Sequence, residues 1–307
     1  MPTHRLPATA ATTVDVYDPS QQPVLTVDPG DLLVVDSLDA SGHLERQLAP
    51  GELRPKMFPA LRGHCLTGPV AVRGAQPGAM LSLSLVTLRP GAWGWTVAGA
   101  RDSPVTRRLG LTGAPPAWLL WEIDAEAGTA TADRGFVRAL APVLGVLGVA
   151  PAEPGEHLTP PPRTEVGGNI DCRELVAGST LFLPVAVPGA LLYLGDGHAA
   201  QGDGEVGGTA IECPMTTELV IDVVADRPVT SVHAETPAGR ITFGFSVDLN
   251  EAMGDALAAM VTWLQSILDL DRGTALAVAS TCVDLRVTQV ANQTWGVHAV
   301  LPPDALG

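Results

Sequence analysis

The chain is divided into short apolar segments by turns containing glycine and proline, and this pattern constrains the fold more than any other feature of the sequence. Its 307 residues include 33 glycines and 27 prolines, well above the usual share. In Met80–Val86 leucine alternates with serine, the period-two pattern of a half-buried strand. Further strands are predicted at Val24–Val27, Leu32–Val35, Pro69–Val72, Trp118–Ile123, Leu181–Val187, Leu191–Leu194, Leu219–Val224 and Ile241–Phe245. The pattern therefore predicts a mainly β fold, with a hairpin-type turn at Asp28–Asp31.

A region near the C-terminus follows a different period. From Glu251 to Leu270, apolar residues recur at steps of three and four, at Met253, Leu257, Val261, Leu264 and Leu268. This stripe is typical of an amphipathic helix, with Asn250 as a suitable N-cap and Gly273 as a suitable end. A second, shorter helix is predicted over Thr274–Cys282, before a strand near Leu285–Val290. The fold class is therefore β-rich α+β with one or two C-terminal helices, which we expect to serve core packing and subunit contact.

The length of the chain suits one large domain or two modest ones. Pro151–Pro162 is rich in proline and glutamate and is predicted to be an ordered loop or a lid, with an internal division near 151–162 as an alternative. Because predicted strands lie on both sides of this loop, we expect a single domain over residues 1–307.

The net charge and the cysteines indicate which partners the protein can bind and in which compartment it is expected. Acidic residues outnumber basic ones by 33 to 18, which gives a formal net charge of -15. Such a field repels phosphate backbones and anionic membranes, so neither nucleic acid nor a membrane is an expected partner. The four cysteines lie far apart without a CxxC pair, and the N-terminus lacks the apolar stretch of a signal peptide. We therefore expect reduced thiols in a cytoplasmic protein.

Chemistry is concentrated in the segment Gly195–Glu205. Within eleven residues, four glycines are interspersed with Asp196, His198, Asp203 and Glu205. Asp196 and His198 are two positions apart, so in an extended strand both side chains leave the same face. With Asp171 from a neighbouring loop, they could provide three protein ligands to a divalent metal and leave a position open for water. Zinc is the expected ion, and calcium and magnesium stay open as alternatives because oxygen donors dominate.

Carboxylates and amides around this segment are candidates for the remaining steps. Glu212 follows an apolar run, so burial is expected to raise its pKa and suit it to carry a proton. Glu205 and Asp203 are the other catalytic candidates. Asn169 and Gln201 carry amide groups that could orient a substrate, and His64 could reach the same pocket from a distant loop.

Structural roles stay open for several of these residues. His198 could be a hydrogen-bonded loop histidine, Glu212 a buried salt-bridged glutamate, and His64 a surface or capping residue. Cys172 follows Asp171 and should face the core if Asp171 faces the site. The sequence contains no Gly-x-Ser-x-Gly elbow, P-loop or dinucleotide fingerprint, so it does not predict an α/β-hydrolase or nucleotide site.

Long stretches of the chain resemble the acetamidase/formamidase family. The matching stretches are Thr67–Pro69, Gly74–Gly78, Gly145–Ala152, Gly167–Asp171, Gly178–Val185, Gly195–Glu205, Gly208–Glu212 and Val283–Val290. Together they extend over nearly the whole chain. Arg73 and Ala79 depart from the residues that the family often has there, and both lie outside the central block. The departures therefore bear on substrate and subfamily more than on reaction class.

The resemblance implies hydrolysis of small amides such as formamide and acetamide, a mostly β body of sandwich or barrel type, and assembly into homo-oligomers. It also implies a divalent metal near Asp171, His198 and the surrounding carboxylates. We expect an amidohydrolase that uses metal-activated water to cleave the C–N bond of small linear amides. The alternatives are a lactamase-like hydrolase of cyclic amides and a non-catalytic protein that binds a small molecule or a metal.

Overall fold

The computed structural model describes residues 2–225 and 227–306, which form two large β-sheets and three helices. The strands, in chain order, are β1 (Thr3–Leu6), β2 (Thr13–Val14), β3 (Val16–Tyr17), β4 (Leu25–Val27), β5 (Asp31–Ser37), β6 (Leu66–Val72), β7 (Met80–Pro90), β8 (Trp93–Ala98), β9 (Ala117–Asp124), β10 (Thr129–Ala132), β11 (Val137–Ala139), β12 (Val143–Val149), β13 (His157–Leu158), β14 (Gly167–Asn169), β15 (Thr180–Pro184), β16 (Leu192–His198), β17 (Glu212–Cys213), β18 (Met215–Val224), β19 (His233–Thr236), β20 (Gly239–Ser246), β21 (Asp284–Gln289) and β22 (Trp295–Leu301). The helices are α1 (Pro104–Arg108), α2 (Leu249–Leu268) and α3 (Arg272–Cys282).

The two sheets face each other across one apolar core. One sheet has nine strands in the order β1-β5-β18-β7-β15-β19-β20-β22-β21. The other has eleven, with β11-β10-β9-β8-β17-β16-β12-β14 as its main path and β6 joining β16 to β2 and β4. Over the residues described, neither sheet closes on itself, so the body is a sandwich and not a barrel.

The alternation in β7 explains how the sandwich is filled. Leu81, Leu83 and Leu85 are buried and belong to the same core cluster as Leu144 of β12 and Leu194 of β16. Apolar side chains from both inner faces therefore meet, as expected for stacked sheets whose residues alternate in direction. The predicted mainly β fold is confirmed.

The predicted hairpin at Asp28–Asp31 is wrong, although the turn itself exists. The Asp31 amide donates to the Asp28 carbonyl, as in a tight turn. The strands on its two sides then separate: β4 pairs in parallel with β6 in the eleven-stranded sheet, whereas β5 pairs with β1 and β18 in the nine-stranded sheet. The turn is therefore a corner between the two sheets and not the end of a hairpin.

Both C-terminal helices are present, with boundaries that differ from the prediction. Helix α2 begins after Asp248, whose carboxylate accepts from the Asn250 amide, so Asp248 and not Asn250 is the N-cap. It ends at Leu268, followed by the C-cap Asp269 in the left-handed conformation, while Gly273 lies inside α3. Asp271 caps α3 by accepting from two backbone amides, and this cap starts the helix earlier than expected.

The buried face of α2 is also rotated from the predicted stripe. Its buried residues are Ala252, Ala256, Met260, Val261, Trp263 and Leu264. Small alanines face the sheet because the backbones approach closely: a Cβ on Gly244 of β20 would meet the Ala252 carbonyl. Among the residues described, none of the helices has the length and apolar character needed to cross a membrane.

The proline-rich segment 151–162 is an irregular loop that contains β13, which pairs with β3. The main core cluster takes residues from both sides of this loop, including Leu83 and Leu194. The single domain over 1–307 stays a prediction.

Candidate active site

A cavity of about 200 Å³ opens above the strands β16 and β17 and contains most of the predicted site residues. His64, Asn169, Asp171, Asp196, Glu205 and Glu212 all line it. Trp95, Arg101, Pro160, Thr209, Ala291 and Asn292 complete much of its wall. Residues more than 200 positions apart in the chain therefore meet around one small space.

Strand register places His198 next to Glu212. These residues are directly opposite each other in the antiparallel pair of β16 and β17, and such partners have adjacent side chains. His198 Nε2 lies 3.3 Å from a Glu212 oxygen and 3.4 Å from Asp196 Oδ1. We call Asp171, Asp196, His198, Glu205 and Glu212 the acidic cluster.

Gln201 determines which nitrogen of His198 carries a proton. Its amide nitrogen donates to the Asp171 backbone carbonyl at 2.5 Å, so its oxygen is turned towards His198. That oxygen can only accept, and it lies 2.9 Å from His198 Nδ1, which must therefore be the donor. In the neutral imidazole, Nε2 is then left with a free lone pair facing the carboxylates.

Gly145 of β12 makes room for the acidic cluster. A Cβ at this position would lie 2.5 Å from Asp171 Oδ1, 2.9 Å from His198 Cε1, and closer still to Asp196 Oδ2. The Gly145 carbonyl also accepts from the Ile170 and Asp171 amides, which fixes the segment that follows β14. A glycine in the middle of an apolar strand thus allows three functional side chains to converge.

Three acidic residues of the cluster have a left-handed backbone. The φ angles are 52° for Asp171, 59° for Asp196 and 42° for Glu205. Residues other than glycine rarely adopt this region, at a cost of about 1–3 kcal/mol each. The expectation of an extended segment is therefore wrong at Asp196, where the pairing of β12 with β16 is also interrupted. Its side chain reaches His198 through this kink and not through simple strand alternation.

Burial and mutual repulsion shift the ionisation of the carboxyl groups. Burial raises the pKa of Glu212 to about 8 and the pKa of Glu205 to about 7, and the charge of Asp196 adds to both shifts. Burial and the neighbouring carboxylates also raise the pKa of Asp171 well above its usual range. Four carboxyl groups thus surround one imidazole in a dry space, and they cannot all be charged without additional positive charge.

His64 and His198 stabilise the charged form of one carboxylate, that of Asp196. Burial alone would raise the pKa of Asp196, but His64 and His198 outweigh it and hold that pKa below its usual range. Burial would likewise lower the pKa of His198, but Glu212 and Asp196 raise it well above normal. Asp196 is therefore the carboxylate that stays charged most readily.

Several buried atoms of the cluster have no hydrogen-bond partner among the residues described. They are both carboxylate oxygens of Asp171, Asp196 Oδ1, Glu212 Oε2 and His198 Nε2, together with Asn169 Oδ1. Buried polar atoms are nearly always paired, so a convergent set of unpaired carboxylate, amide and imidazole atoms needs an explanation. Asp171, Asp196 and His198 offer ligand atoms within 4.8 Å of one another, as do His198, Glu205 and Glu212. One nitrogen and several carboxylate oxygens at this spacing fit a divalent metal ion.

The other predicted residues differ in whether they line the cavity. His64 lines the cavity, with Nε2 3.9 Å from Asp196 Oδ2, and its Nδ1 is 3.0 Å from the Thr159 hydroxyl. Asn169 lies at the end of β14 with its side-chain oxygen unpaired. Gln201 contacts His198 with its amide group, and Asp203 is exposed; neither of these residues, nor His198 itself, is among those that line the cavity.

Sequence reasoning did not identify Gly145, Trp95, Arg101 or Asn292 as parts of the site. Gly145 carried a signal, because a glycine between apolar strand residues marks a close approach. The Trp95 ring is oriented by its Nε1, which donates to the buried Asp39 carboxylate. Arg101 and Asn292 come from loops whose position depends on the whole fold, and no local pattern predicts them.

Comparison with known proteins gives consistent results. The model for the Acetamidase/Formamidase family matches residues 3–158 and 152–304 of this chain. A formamidase of Methylophilus methylotrophus is 27% identical over 294 residues, covering 76% of this chain and 72% of that protein. An acetamidase of Mycolicibacterium smegmatis is 31% identical over 219 residues, which is 52% of this chain and only 53% of that protein. The crystal structure of an acetamidase from Bacillus halodurans superposes with a TM-score of 0.86 at 27% identity, covering 97% of both chains.

Proposed function

Because this chain belongs to the acetamidase/formamidase family, we propose that it is a metal-dependent hydrolase that cleaves the C–N bond of small linear amides to a carboxylate and ammonia. The observation that carries the metal part of this proposal is the set of buried, unpaired donor atoms in the acidic cluster. The names of the relatives, acetamidase and formamidase, support the choice of linear amides as substrates.

We assign Asp171, Asp196 and His198 as the residues that hold the ion, and zinc as the ion. Zinc accepts imidazole nitrogen together with carboxylate oxygen, whereas calcium and magnesium prefer oxygen alone. When bound, such an ion supplies a Lewis acid that polarises the amide carbonyl and lowers the pKa of a water molecule. Gln201 acts as a positioning residue, because it holds His198 with Nε2 towards the carboxylates.

Glu212 is placed to carry the proton. Its Oε1 accepts from the Ala210 amide at 2.9 Å, whereas its Oε2 is buried and unpaired. One anchored oxygen and one free oxygen allow it to take a proton from water and deliver it to the departing nitrogen. Glu205, close to both Asp171 and His198, is the reserve for this role.

Two side chains are placed to orient the amide. Asn169 Oδ1 is an unpaired acceptor on the cavity wall and can accept a hydrogen bond from an N–H of the substrate. His64, held by Thr159, faces the same space. Asp203 is exposed in the surrounding loop, and we give it no direct part in the reaction.

We also propose a cytoplasmic location and a homo-oligomeric assembly. All four cysteines are free thiols, which supports a reducing compartment. The assembly is tested by light scattering coupled to gel filtration, where a mass of a single 31.7 kDa chain would contradict it.

The proposal is tested by measuring metal content and ammonia release together. We expect about one zinc per chain by elemental analysis, turnover of formamide, acetamide or propionamide, and loss of turnover on chelation with recovery on zinc addition. His198→Ala should lose both metal and turnover while keeping the wild-type circular dichroism spectrum.

His4→Ala is the matched control, because His4 also contacts a carboxylate, that of Asp31, but lies on β1 outside the cavity. This variant should keep metal and activity. Full activity in His198→Ala would contradict the assignment. Turnover of a γ-lactam but of no linear amide would favour the cyclic-amide alternative, and metal binding without any turnover would favour a binding protein.

A further inference from the structure

A second, larger cavity of about 650 Å³ lies beside the catalytic cavity. The two share part of their walls: Arg101, Pro160, Ala291 and Asn292 line both. The larger space, which we call the antechamber, therefore adjoins the cavity at the acidic cluster along these residues.

Three separate parts of the chain build the antechamber. The segment around α1 contributes Pro104 and its neighbours, and the proline-rich loop contributes Leu158 and Pro161. The third wall is formed where β20 and β22 lie side by side: Ser246, the residue before Val247, is paired with Trp295, and both Val247 and Trp295 line the cavity. Each wall is thus attached to a different part of the sandwich.

The antechamber is mostly apolar where the catalytic cavity is acidic. Trp295, Leu158, Val247 and prolines provide its surface, and Leu158 and Val247 are 52% and 76% exposed to solvent. Its one close charge pair lies between Arg107 and Asp102 at 2.6 Å, and Arg101 adds a further positive charge where the two cavities meet. Exposed apolar side chains that surround a concave space favour an apolar occupant.

The size of the two cavities also exceeds what acetamide requires. The catalytic cavity of about 200 Å³ is large enough for an amide group and a short chain. With the antechamber, the space reaches the range of roughly 300–1,000 Å³ that is typical of sites for much larger ligands. A substrate that ends at two carbons would leave the apolar walls in contact with water.

We propose that the preferred substrates are linear amides with an apolar acyl chain longer than acetyl, whose tail occupies the antechamber while the amide group lies at the acidic cluster. This inference rests on the proposed function. It assigns Trp295, Val247 and Leu158 as residues that determine specificity, although none of them touches the reacting atoms.

The first experiment compares kcat/KM for acetamide, butyramide, hexanamide and adipamic acid, which matches hexanamide in length but ends in a carboxylate. Burial of each methylene can raise kcat/KM by up to about fourfold, so hexanamide should exceed acetamide by at least about tenfold. Adipamic acid should fall below hexanamide.

The second experiment places a charge in the antechamber. Val247→Asp should lower kcat/KM for hexanamide by about tenfold or more and leave acetamide turnover unchanged, because a charged side chain disfavours apolar neighbours. Val137→Asp is the matched control: Val137 is similarly exposed, at 60%, but lies on the edge strand β11 outside both cavities. Trp295→Ala should act like Val247→Asp.

The outcomes distinguish this inference from the function on which it rests. Turnover of none of the amides would overturn both. Turnover of acetamide without a gain for hexanamide, a preference for adipamic acid, or an equal effect of Val247→Asp on acetamide and hexanamide would overturn the inference alone. A hexanamide preference lost only in Val247→Asp and Trp295→Ala would support it.

Discussion

The molecule contains two buried clusters of ionisable residues that differ in how completely they are paired. In the Glu174 cluster (Cys172, Glu174, Arg286 and His298), Arg286 donates to Glu174 Oε1 at 2.9 Å and the Cys172 thiol donates to Oε2 at 3.3 Å. His298 Nδ1 is bound to the Thr288 hydroxyl, and its Nε2 lies 3.4 Å from Glu174 Oε2. One atom of that cluster, His298 Nε2, has no hydrogen-bond partner among the described residues, whereas in the acidic cluster five ligand atoms have none.

The pKa values of the glutamates in the two clusters also differ, in line with how completely each cluster is paired. Burial raises the pKa of Glu174, but His298, Cys172 and Arg286 outweigh it and lower that pKa to about 2. In the acidic cluster burial prevails and raises the pKa of Glu212 to about 8. Both clusters contain a histidine and a glutamate, so residue types alone do not separate them. The number of unpaired atoms, the left-handed backbone and the adjoining cavity do separate them, and on these grounds we propose the acidic cluster as the functional one.

Of the substitutions predicted here, Gly145→Ala should have the largest effect on the acidic cluster, and it should leave the Glu174 cluster intact. The added methyl would collide with Asp171, Asp196 and His198, whereas the Glu174 cluster would be untouched. Because small displacements of reacting groups are costly, we expect kcat to fall by about 10²-fold or more, with metal content falling as well. Steady-state kinetics and elemental analysis measure both.

Gly254→Ala is the control for that substitution. Gly254 lies inside α2, and a Cβ there would meet nothing within 4 Å. This variant should keep full activity and gain about 0.5–1 kcal/mol of stability, because alanine favours helix. Wild-type activity in Gly145→Ala would mean that the three side chains do not converge as described.

Gln201→Ala should have a smaller effect. Loss of the bond to His198 Nδ1 frees the ring, and loss of such a partner lowers metal affinity by roughly 10–100-fold. Gln201→Glu should retain more affinity, because its carboxylate still accepts from Nδ1. Competition with a chromogenic zinc chelator measures the affinity. Asp203→Asn, in the same loop but exposed, should match the wild type, and an equal loss in both variants would contradict the role of Gln201.

Glu174→Gln should affect stability and not catalysis. The substitution removes the charge that pairs with Arg286, at a cost of about 1–3 kcal/mol in the free energy of unfolding near neutral pH. Since the pKa of Glu174 is lowered from 4.5 to about 2, its contribution is complete above 4.5 and is lost as the pH falls towards 2. Urea denaturation of both proteins should therefore show a difference that shrinks over this range. A difference independent of pH would contradict the charge-pair account.

Much of the fold follows from local pattern. The alternation in Met80–Val86 predicts β7, and the three- and four-residue spacing predicts α2, because burial imposes these periods directly. The corner at Asp28–Asp31 could not be predicted, since a turn does not show whether the strands that it joins pair with each other. The rotation of α2 depends on the close approach at Gly244, which is a tertiary contact.

The candidate site could be predicted in its residue types but not in its geometry. Asp171, Asp196 and His198 meet as expected, yet Asp196 does so from a left-handed backbone that strand alternation does not predict. Gln201 and Asp203 belong to the same glycine-containing loop, and only the fold places one against His198 and the other in solvent. Side-chain roles in such a loop depend on backbone conformation, which residue identity does not determine.

The most direct test of the central claim is anomalous X-ray diffraction at the zinc edge from crystals of the zinc-loaded protein. The account predicts one strong peak about 2.0–2.2 Å from His198 Nε2 and from carboxylate oxygens of Asp171 and Asp196. It predicts no peak among Cys172, Glu174 and His298, although these three also offer ligand atoms within 4.8 Å of one another. A peak at the Glu174 cluster, or none at the acidic cluster, would contradict the account.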